Sequence, residues 1–419
     1  MAGALPEIRS EIPGPRSREL AGRLASVECP EVSCFSGPLL FWERGSGANL
    51  YDVDGNRFVD LLAGFGTACL GHAPAELAQI AAQQAGELLQ AHGDLYPARL
   101  KVELLEALDR LLPGDLGWAI LSASGSDAVE SALKTALRVT GRAGVIAFEG
   151  AYHGLGLGAL DATHREEFRA PFRERLPGRT RFLPWGDLDA VQRALREGEA
   201  GAILIEPVQG RGGVRVVPPG FLAELRALAD QHDVLLVADE VYTGLGRCGS
   251  WLACQEDGVL PDVVALGKGL GGGFPISACA GRTAVMERWG ASQGEALHTS
   301  THLGNPLGCA LALRVLECLE REALPQRAAK LGGALRDRLR CELGDAPDVV
   351  EVRGRGLMIG IELASAERAA RAVGEALARG WLLVAEGTAG QVLSLTPPLT
   401  IEPEQLDGAA DLLVELLSP

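Results

Sequence analysis

Between Leu77 and Leu112 apolar side chains recur three and four positions apart, which places them on one face of a helix, and Pro113 and Gly114 close that segment. Downstream the pattern changes. Short, nearly continuous apolar runs (WAILSA, GVIAFEG, AGAILIEP, DVLLVADEV, PDVVALG) alternate with helical stretches such as GFLAELRALADQH. A strand buried on both faces reads as such a run, and strands alternating with helices imply βαβ units and a largely parallel sheet. Upstream, after a leading helix, PLLFWERGSGANLYDVDGNRFVDLLAG is cut by Gly45, Gly47, Asp54 and Gly55 into three short runs, the pattern of an antiparallel meander. After about Cys309 a long helix precedes VEVRGRGLMIGIEL and QVLSLTPPLTIEP, which read as further strands. The pattern predicts a large domain over residues 63–311 and a smaller α+β domain assembled from residues 1–62 and 312–419.

Composition narrows the class. A chain of 419 residues exceeds what one hydrophobic core organises, and 47% hydrophobic content with 5% aromatics, 54 glycines and 23 prolines fits an α/β protein with many tight connections. A net charge of −16 argues against nucleic acid or an anionic membrane as partner and favours a small-molecule role. The opening MAGALPEIRSEIPGPRSREL has no apolar run of signal-peptide length, and no stretch reaches membrane-spanning length, so a cytoplasmic location is expected. Nine cysteines without a CxxC pair predict reduced, interior thiols, and seven histidines, among which only His298 and His302 are spaced HxxxH and none forms HExxH, predict no metal site.

In VVALGKGLGGGFPIS, Lys268 is the one charged side chain between an apolar run and a cluster of glycines. A lysine at a strand end can lay its stem along apolar surface and reach water; held in a dry pocket, it becomes a neutral amine able to form a Schiff base. Three neighbours bear on the choice, because ligands of open α/β sheets sit beyond the carboxyl ends of the strands. SASGSDAVESALKTAL places Ser124, Gly125 and Ser126 before a helix, which is either an ordinary N-cap or a cup for phosphate. In VLLVADEVYTGLGR, Asp239 and Glu240 end a buried run and ask for a cationic partner. FEGAYHG sets Tyr152 and His153 on a glycine-flanked turn, as core filler or as a stacking platform. A phosphate cup, a buried acid, an aromatic plate and an isolated lysine are together what pyridoxal phosphate requires.

The motifs LIEPVQGRGG, VADEVYTGLGR, LGKGLGGGFPIS, HTSTHLGNPLGCA and VRGRGLMIGIEL, within a span from about Gly37 to Pro403, resemble the class III (ω-amino acid and ornithine-like) aminotransferases of pyridoxal-phosphate fold type I. The resemblance implies a central, mostly parallel sheet domain with a small α+β domain built from both termini. It implies Lys268 as the Schiff-base lysine, Asp239 as partner of the pyridine nitrogen, Gly125 and Ser126 as phosphate cup, and Tyr152 and Val241 on the two ring faces. His153 and Glu206 would lie beside the cofactor, and Thr301 would reach the phosphate of the neighbouring subunit in a homodimer with shared active sites. The implied activity is ping-pong transfer of an amino group from an ω-amine or ω-amino acid, such as 4-aminobutyrate or a diamine, to an oxo acid. An aminomutase or amino-acid epimerase of the same family is the alternative. A regulator with an N-terminal winged helix is opposed by the short segment before the meander.

Departures concern the substrate side, where Phe65, Leu155, Arg211 and Ser394 are the candidates. Many relatives carry a glutamate after EPVQG, an arginine in the strand before PPLTI, and an arginine after YHG. Here these positions hold Arg211, Ser394 and Leu155, so the usual glutamate-handling set is missing unless Arg211, Arg353 or Arg355 replaces it.

Overall fold

All five residues of the strand Leu235–Asp239 are buried, as are the six of Ala200–Ile205 and the four of Val263–Leu266. In the computed structural model, which describes residues 3–33, 37 and 39–418, these strands form the middle of a seven-stranded sheet. From one edge to the other, the order is Trp118–Ser122, Ser277–Gly281, Val263–Leu266, Leu235–Asp239, Ala200–Ile205, Gly144–Phe148 and Thr180–Leu183. The apolar runs of the sequence are five of these strands, and the pairs around Leu235–Asp239 are parallel as expected. Ser277–Gly281 is antiparallel to both of its neighbours. Its small side chains hide it from a search for apolar runs, yet they let the helix Gly125–Thr140 lie close, with Ala128, Val129 and Ala132 buried against Val237, Val263 and Cys279. Thr180–Leu183 is an edge strand, half polar because one side of it faces solvent.

The helical segment expected from Leu77 to Leu112 is two helices, Ala75–Glu87 and Arg99–Leu111. The break has a physical cause. Pro97 restricts its predecessor, and Gly93 passes so close to Leu303 that a Cβ there would come within 1.9 Å of its carbonyl oxygen. The loop is pinned by Lys101, whose Nζ donates to the Gly93 carbonyl at 2.6 Å, and it leaves Leu88, Leu89, Leu95 and Tyr96 exposed.

The meander forms as predicted: Trp42–Ser46, Asn49–Asp52 and Arg57–Asp60 pair antiparallel. A fourth strand, Trp381–Leu382, joins parallel to Arg57–Asp60 from the far end of the chain. A second small sheet runs in the order Val349–Arg355, Met358–Leu363, Val392–Leu395, Val384–Glu386. The expected boundary at 311 falls inside an unbroken helix, Pro306–Arg321, which packs on Ala75–Glu87 and Arg99–Leu111. The helix that packs on the second small sheet begins only at Leu324, after Ala323 takes a left-handed turn with φ 48°.

Among the described residues Cys69, Cys248, Cys254, Cys279, Cys309 and Cys318 are buried free thiols, whereas Cys29 and Cys341 are exposed; Cys34 lies outside those residues. No described helix is long and apolar enough to cross a membrane.

Candidate active site

Beyond the carboxyl ends of Leu235–Asp239 and Val263–Leu266 lies a cavity of about 450 Å³. It brings together Gly125, Ser126, Tyr152, His153, Leu155 and Glu206 with Arg211, Asp239, Val241 and Lys268. Phe65, Thr301 and Ser394 are not on its wall. Phe65 is half exposed at φ 57°, while Thr67 of the same segment does line the cavity; Ser394 is buried in a strand between Gly360 and Val384. Thr301 is exposed on the surface of this chain.

Lys268 opens a single 3-10 turn directly after its strand, with a strained left-handed φ of 25°. Its Nζ sits 3.0 Å from the centroid of the Tyr242 ring. Burial pulls its pKa down to about 7, against the upward pull of Glu206, Asp239 and Glu386, and the amine points at the Tyr242 ring in the cavity wall. Tyr242 is itself wedged: a Cβ at Gly66 would meet its ring at 2.7 Å and one at Gly210 at 2.5 Å. Its hydroxyl is 2.9 Å from that of Thr396, which ties the ring to the second small sheet region. Sequence reasoning quoted Tyr242 and passed over it; the two glycines that shape its slot were the available signal.

Asp239 has the partner its burial demands. His153 Nδ1 lies 2.7 Å from its Oδ2, and the Val241 N–H donates to Oδ1 at 3.1 Å. His153 therefore works through Asp239, while its buried Nε2 has no partner among the described residues. Glu240, beside it, is buried with no cationic partner among the described residues; it accepts from the Cys254 N–H at 2.9 Å and from the Thr243 hydroxyl, and burial raises its pKa. Glu206 receives the N–H groups of Tyr152 at 3.0 Å and Gly210 at 3.2 Å, and burial raises it to about 7.

The N-cap reading of the Ser-Gly-Ser stretch is realised, and the same stretch lies on the cavity wall. Ser124 caps the helix Gly125–Thr140 by accepting from the Asp127 N–H at 3.2 Å, and Ser124, Gly125 and Ser126 all face the cavity. The N–H groups of Gly125 and Ser126 have no partner among the described residues, the ordinary state of a helix start that is free to take an anion. A Cβ on Gly125 would come within 2.7 Å of Val241 Cγ1. A lysine whose pKa burial lowers, a carboxylate held by a histidine, an unpartnered helix start and a glycine that keeps the space open fit an aldehyde-bearing, phosphate-bearing aromatic cofactor such as pyridoxal phosphate.

On the substrate side the three arginines separate. Arg355 is spent on Asp257, at 2.6 and 3.0 Å, and Arg353 on Glu362 and the carbonyls of Gly213 and Val214. Arg211 alone of the three lines the cavity, 3.7 Å from Glu386, an acid that sequence reasoning missed. Its signal in WLLVAEGTAG, a lone carboxylate ending an apolar run before glycine, is the one that singled out Asp239.

The family model described as Aminotransferase class-III matches residues 35–417. The acetylornithine aminotransferase of Methanothermobacter thermautotrophicus is 39% identical over 90% of this chain and 93% of its own length; that of Methanopyrus kandleri is 41% identical over 89% and 93%. The crystal structure of the ornithine aminotransferase from Toxoplasma gondii ME49 superposes with a TM-score of 0.88 at 30% identity, covering 96% of this chain and 94% of that one.

Proposed function

The chain belongs to the class-III aminotransferase family, a pyridoxal-phosphate-dependent family of fold type I, and on that premise we propose that its donor is the terminal amine of an ornithine-type amino acid. The acceptor is an oxo acid. The observation that carries the donor reading is that relatives matching nearly the whole chain are acetylornithine and ornithine aminotransferases. It narrows the broader expectation, in which 4-aminobutyrate and plain diamines stood equally. The cavity suits such a chain, since Leu155, Phe274, Pro275 and Ile276 offer apolar wall for methylene groups.

Pyridoxal phosphate, when bound, supplies an electron-withdrawing ring that acidifies the C–H beside the donor nitrogen. The N–H groups of Gly125 and Ser126 would hold its phosphate, Tyr152 and Val241 its ring faces, and Asp239 its ring nitrogen. Lys268 would carry it at rest. When not joined to the cofactor, the Lys268 Nζ, whose pKa burial lowers to about 7, would accept the proton from the donor carbon and give it back. His153 keeps Asp239 oriented through the Nδ1 contact. The aminomutase or epimerase alternative has no observation in its favour among these relatives.

We also infer a homodimer in which Thr301 serves the partner's site. Supporting it are the position of Thr301 outside its own chain's cavity and the exposed Leu88, Leu89, Leu95 and Tyr96 on the loop to which the 299–305 segment is bonded.

The test has two arms. Borohydride reduction of the holoenzyme is expected to fix the cofactor on Lys268, as read by peptide mass spectrometry; a label on another lysine overturns the assignment. Single-turnover mixing with N-acetylornithine, ornithine, 4-aminobutyrate and a diamine is expected to bleach the visible cofactor band fastest with an ornithine-type donor, and product formation should consume one oxo acid per turnover. Conversion of one substrate without acceptor would favour the isomerase.

A further inference from the structure

Arg211 is a cation on the cavity wall with no hydrogen-bond acceptor for its side chain among the described residues. Its Nε is buried without a hydrogen bond, and among the described residues neither Nη finds an acceptor. What holds the guanidinium is a face and an edge. Cζ lies 4.8 Å from the Tyr152 ring centroid and 5.5 Å from that of Phe168, and Nε lies 3.7 Å from Glu386 Oε2.

Glu386 is equally unfinished. It is 6% exposed at the end of the strand Val384–Glu386, and its carboxylate accepts no hydrogen bond among the described residues. Its second cation, Arg165 Nη2, stands 4.0 Å away and already donates to the backbone carbonyls of Arg211 and Gly387. Burial raises the pKa of Glu386, and Arg211, Arg165 and Lys268 pull it back down. The backbone around the pair is fixed, since the Gly387 N–H donates to the Arg211 carbonyl at 3.2 Å.

A structural ion pair in this protein looks different. Arg355 meets Asp257 with two hydrogen bonds, at 2.6 and 3.0 Å. Arg211 and Glu386 neutralise each other across a gap wider than a hydrogen bond, through the Nε edge, which leaves the Nη fork unused on a side chain that lines the cavity. A planar fork left vacant in a largely apolar cavity matches a carboxylate in geometry and in charge.

Resting on the aminotransferase reading of this cavity, we propose that Arg211 is the specificity-determining residue that binds the carboxylate a substrate carries away from its reacting carbon, and that Glu386 is its positioning residue. Glu386 holds the Nε edge and cancels the charge while the fork is empty. When a carboxylate binds the fork, Arg165 is the cation left for Glu386, so the charges still balance. Substrates without a carboxylate remain admissible because the resting pair is neutral by itself.

The test uses the holoenzyme and three five-carbon probes. Valerate has neither an amine nor an oxo group, so its binding is read by calorimetry without turnover; 5-aminovalerate and pentylamine are compared by single-turnover bleaching of the cofactor band. Arg211→Met is expected to weaken valerate about tenfold or more, the worth of a charge-assisted hydrogen bond, and to lower the kcat/KM ratio of 5-aminovalerate over pentylamine by a similar factor. Arg211→Lys, which keeps the charge and loses the fork, should fall between and covers the case in which the Met variant does not fold. Glu386→Gln is expected to tighten valerate and to raise that ratio through KM rather than kcat, and the gain should vanish in the Arg211→Met background. Valerate binding indifferent to Arg211, or a Glu386→Gln effect that persists without Arg211, overturns the proposal. If no amine bleaches the band, the donor reading fails, while the valerate titrations still decide the role of Arg211.

Discussion

His153 Nδ1 and Asp239 Oδ2 stand 2.7 Å apart with both side chains buried, so the acid that would face the ring nitrogen is oriented by a group that itself stays out of the reaction. Asp239→Asn is expected to keep the fold and slow the half-reaction by roughly 10²-fold or more, the usual cost of losing one preorganised electrostatic partner. His153→Ala should cost less, because the Val241 N–H still donates to Asp239. Stopped-flow bleaching of the cofactor band measures both, and a His153 effect as large as that of Asp239 would give the histidine a direct role.

Lys268 makes the apoprotein's stability depend on pH. Burial holds its pKa at about 7 in the folded protein, against about 10.4 in the unfolded chain. Between those values the unfolded chain binds a proton that the folded one does not, so this group's contribution to stability rises with pH across the interval and is at its lowest below about 7. Apoprotein carrying Lys268→Met should therefore melt above the unmodified apoprotein near neutrality, and the gap should narrow as the pH approaches 10. Melting curves over that range provide the check; a constant gap refutes it.

Gly125 has no room for a side chain. A methyl group there would sit 2.7 Å from Val241 Cγ1, at the start of the helix whose N–H groups face the cavity. Gly125→Ala is expected to weaken cofactor retention about tenfold, since overpacking of this kind costs roughly 1–3 kcal/mol, and adding Val241→Ala should recover part of it. Dialysis followed by cofactor titration gives the numbers. No recovery in the double variant would place the damage elsewhere.

Leu155 gives a prediction about donor choice. It lines the cavity where an arginine would meet a second carboxylate, so L-glutamate enters with one carboxylate unprovided for. A monocarboxylate ω-amine should react faster than L-glutamate in the half-reaction, by a hundredfold as an order of magnitude. Leu155→Arg should shrink that difference. Single-turnover rates at equal concentration decide it.

Much of this could be read from the sequence for a simple reason: the residues that carry chemistry break a pattern. Lys268 and Asp239 are charges at the ends of buried strands, and the apolar runs that make them conspicuous are also what buries them. Ser277–Gly281 was invisible because small residues carry no periodic signal, and the break between Glu87 and Arg99 because helical spacing continues on both sides of it. Glu386 escaped for another reason. Its meaning depends on Arg211, which lies 3.7 Å away in space and far away in the chain, and no local pattern encodes that distance.

The strand Trp381–Leu382 sets an order on synthesis. It pairs with Val59 and Asp60, more than three hundred residues upstream, so the meander leaves the ribosome with that edge closed only at Arg57, by Glu7. At about 5–20 residues per second that edge waits for roughly 15 s to a minute, through the making of the entire central sheet. An unpaired strand edge is a template for pairing with other chains. The edge at Val59 and Asp60 is thus the part of the nascent chain that waits longest for its partner strand.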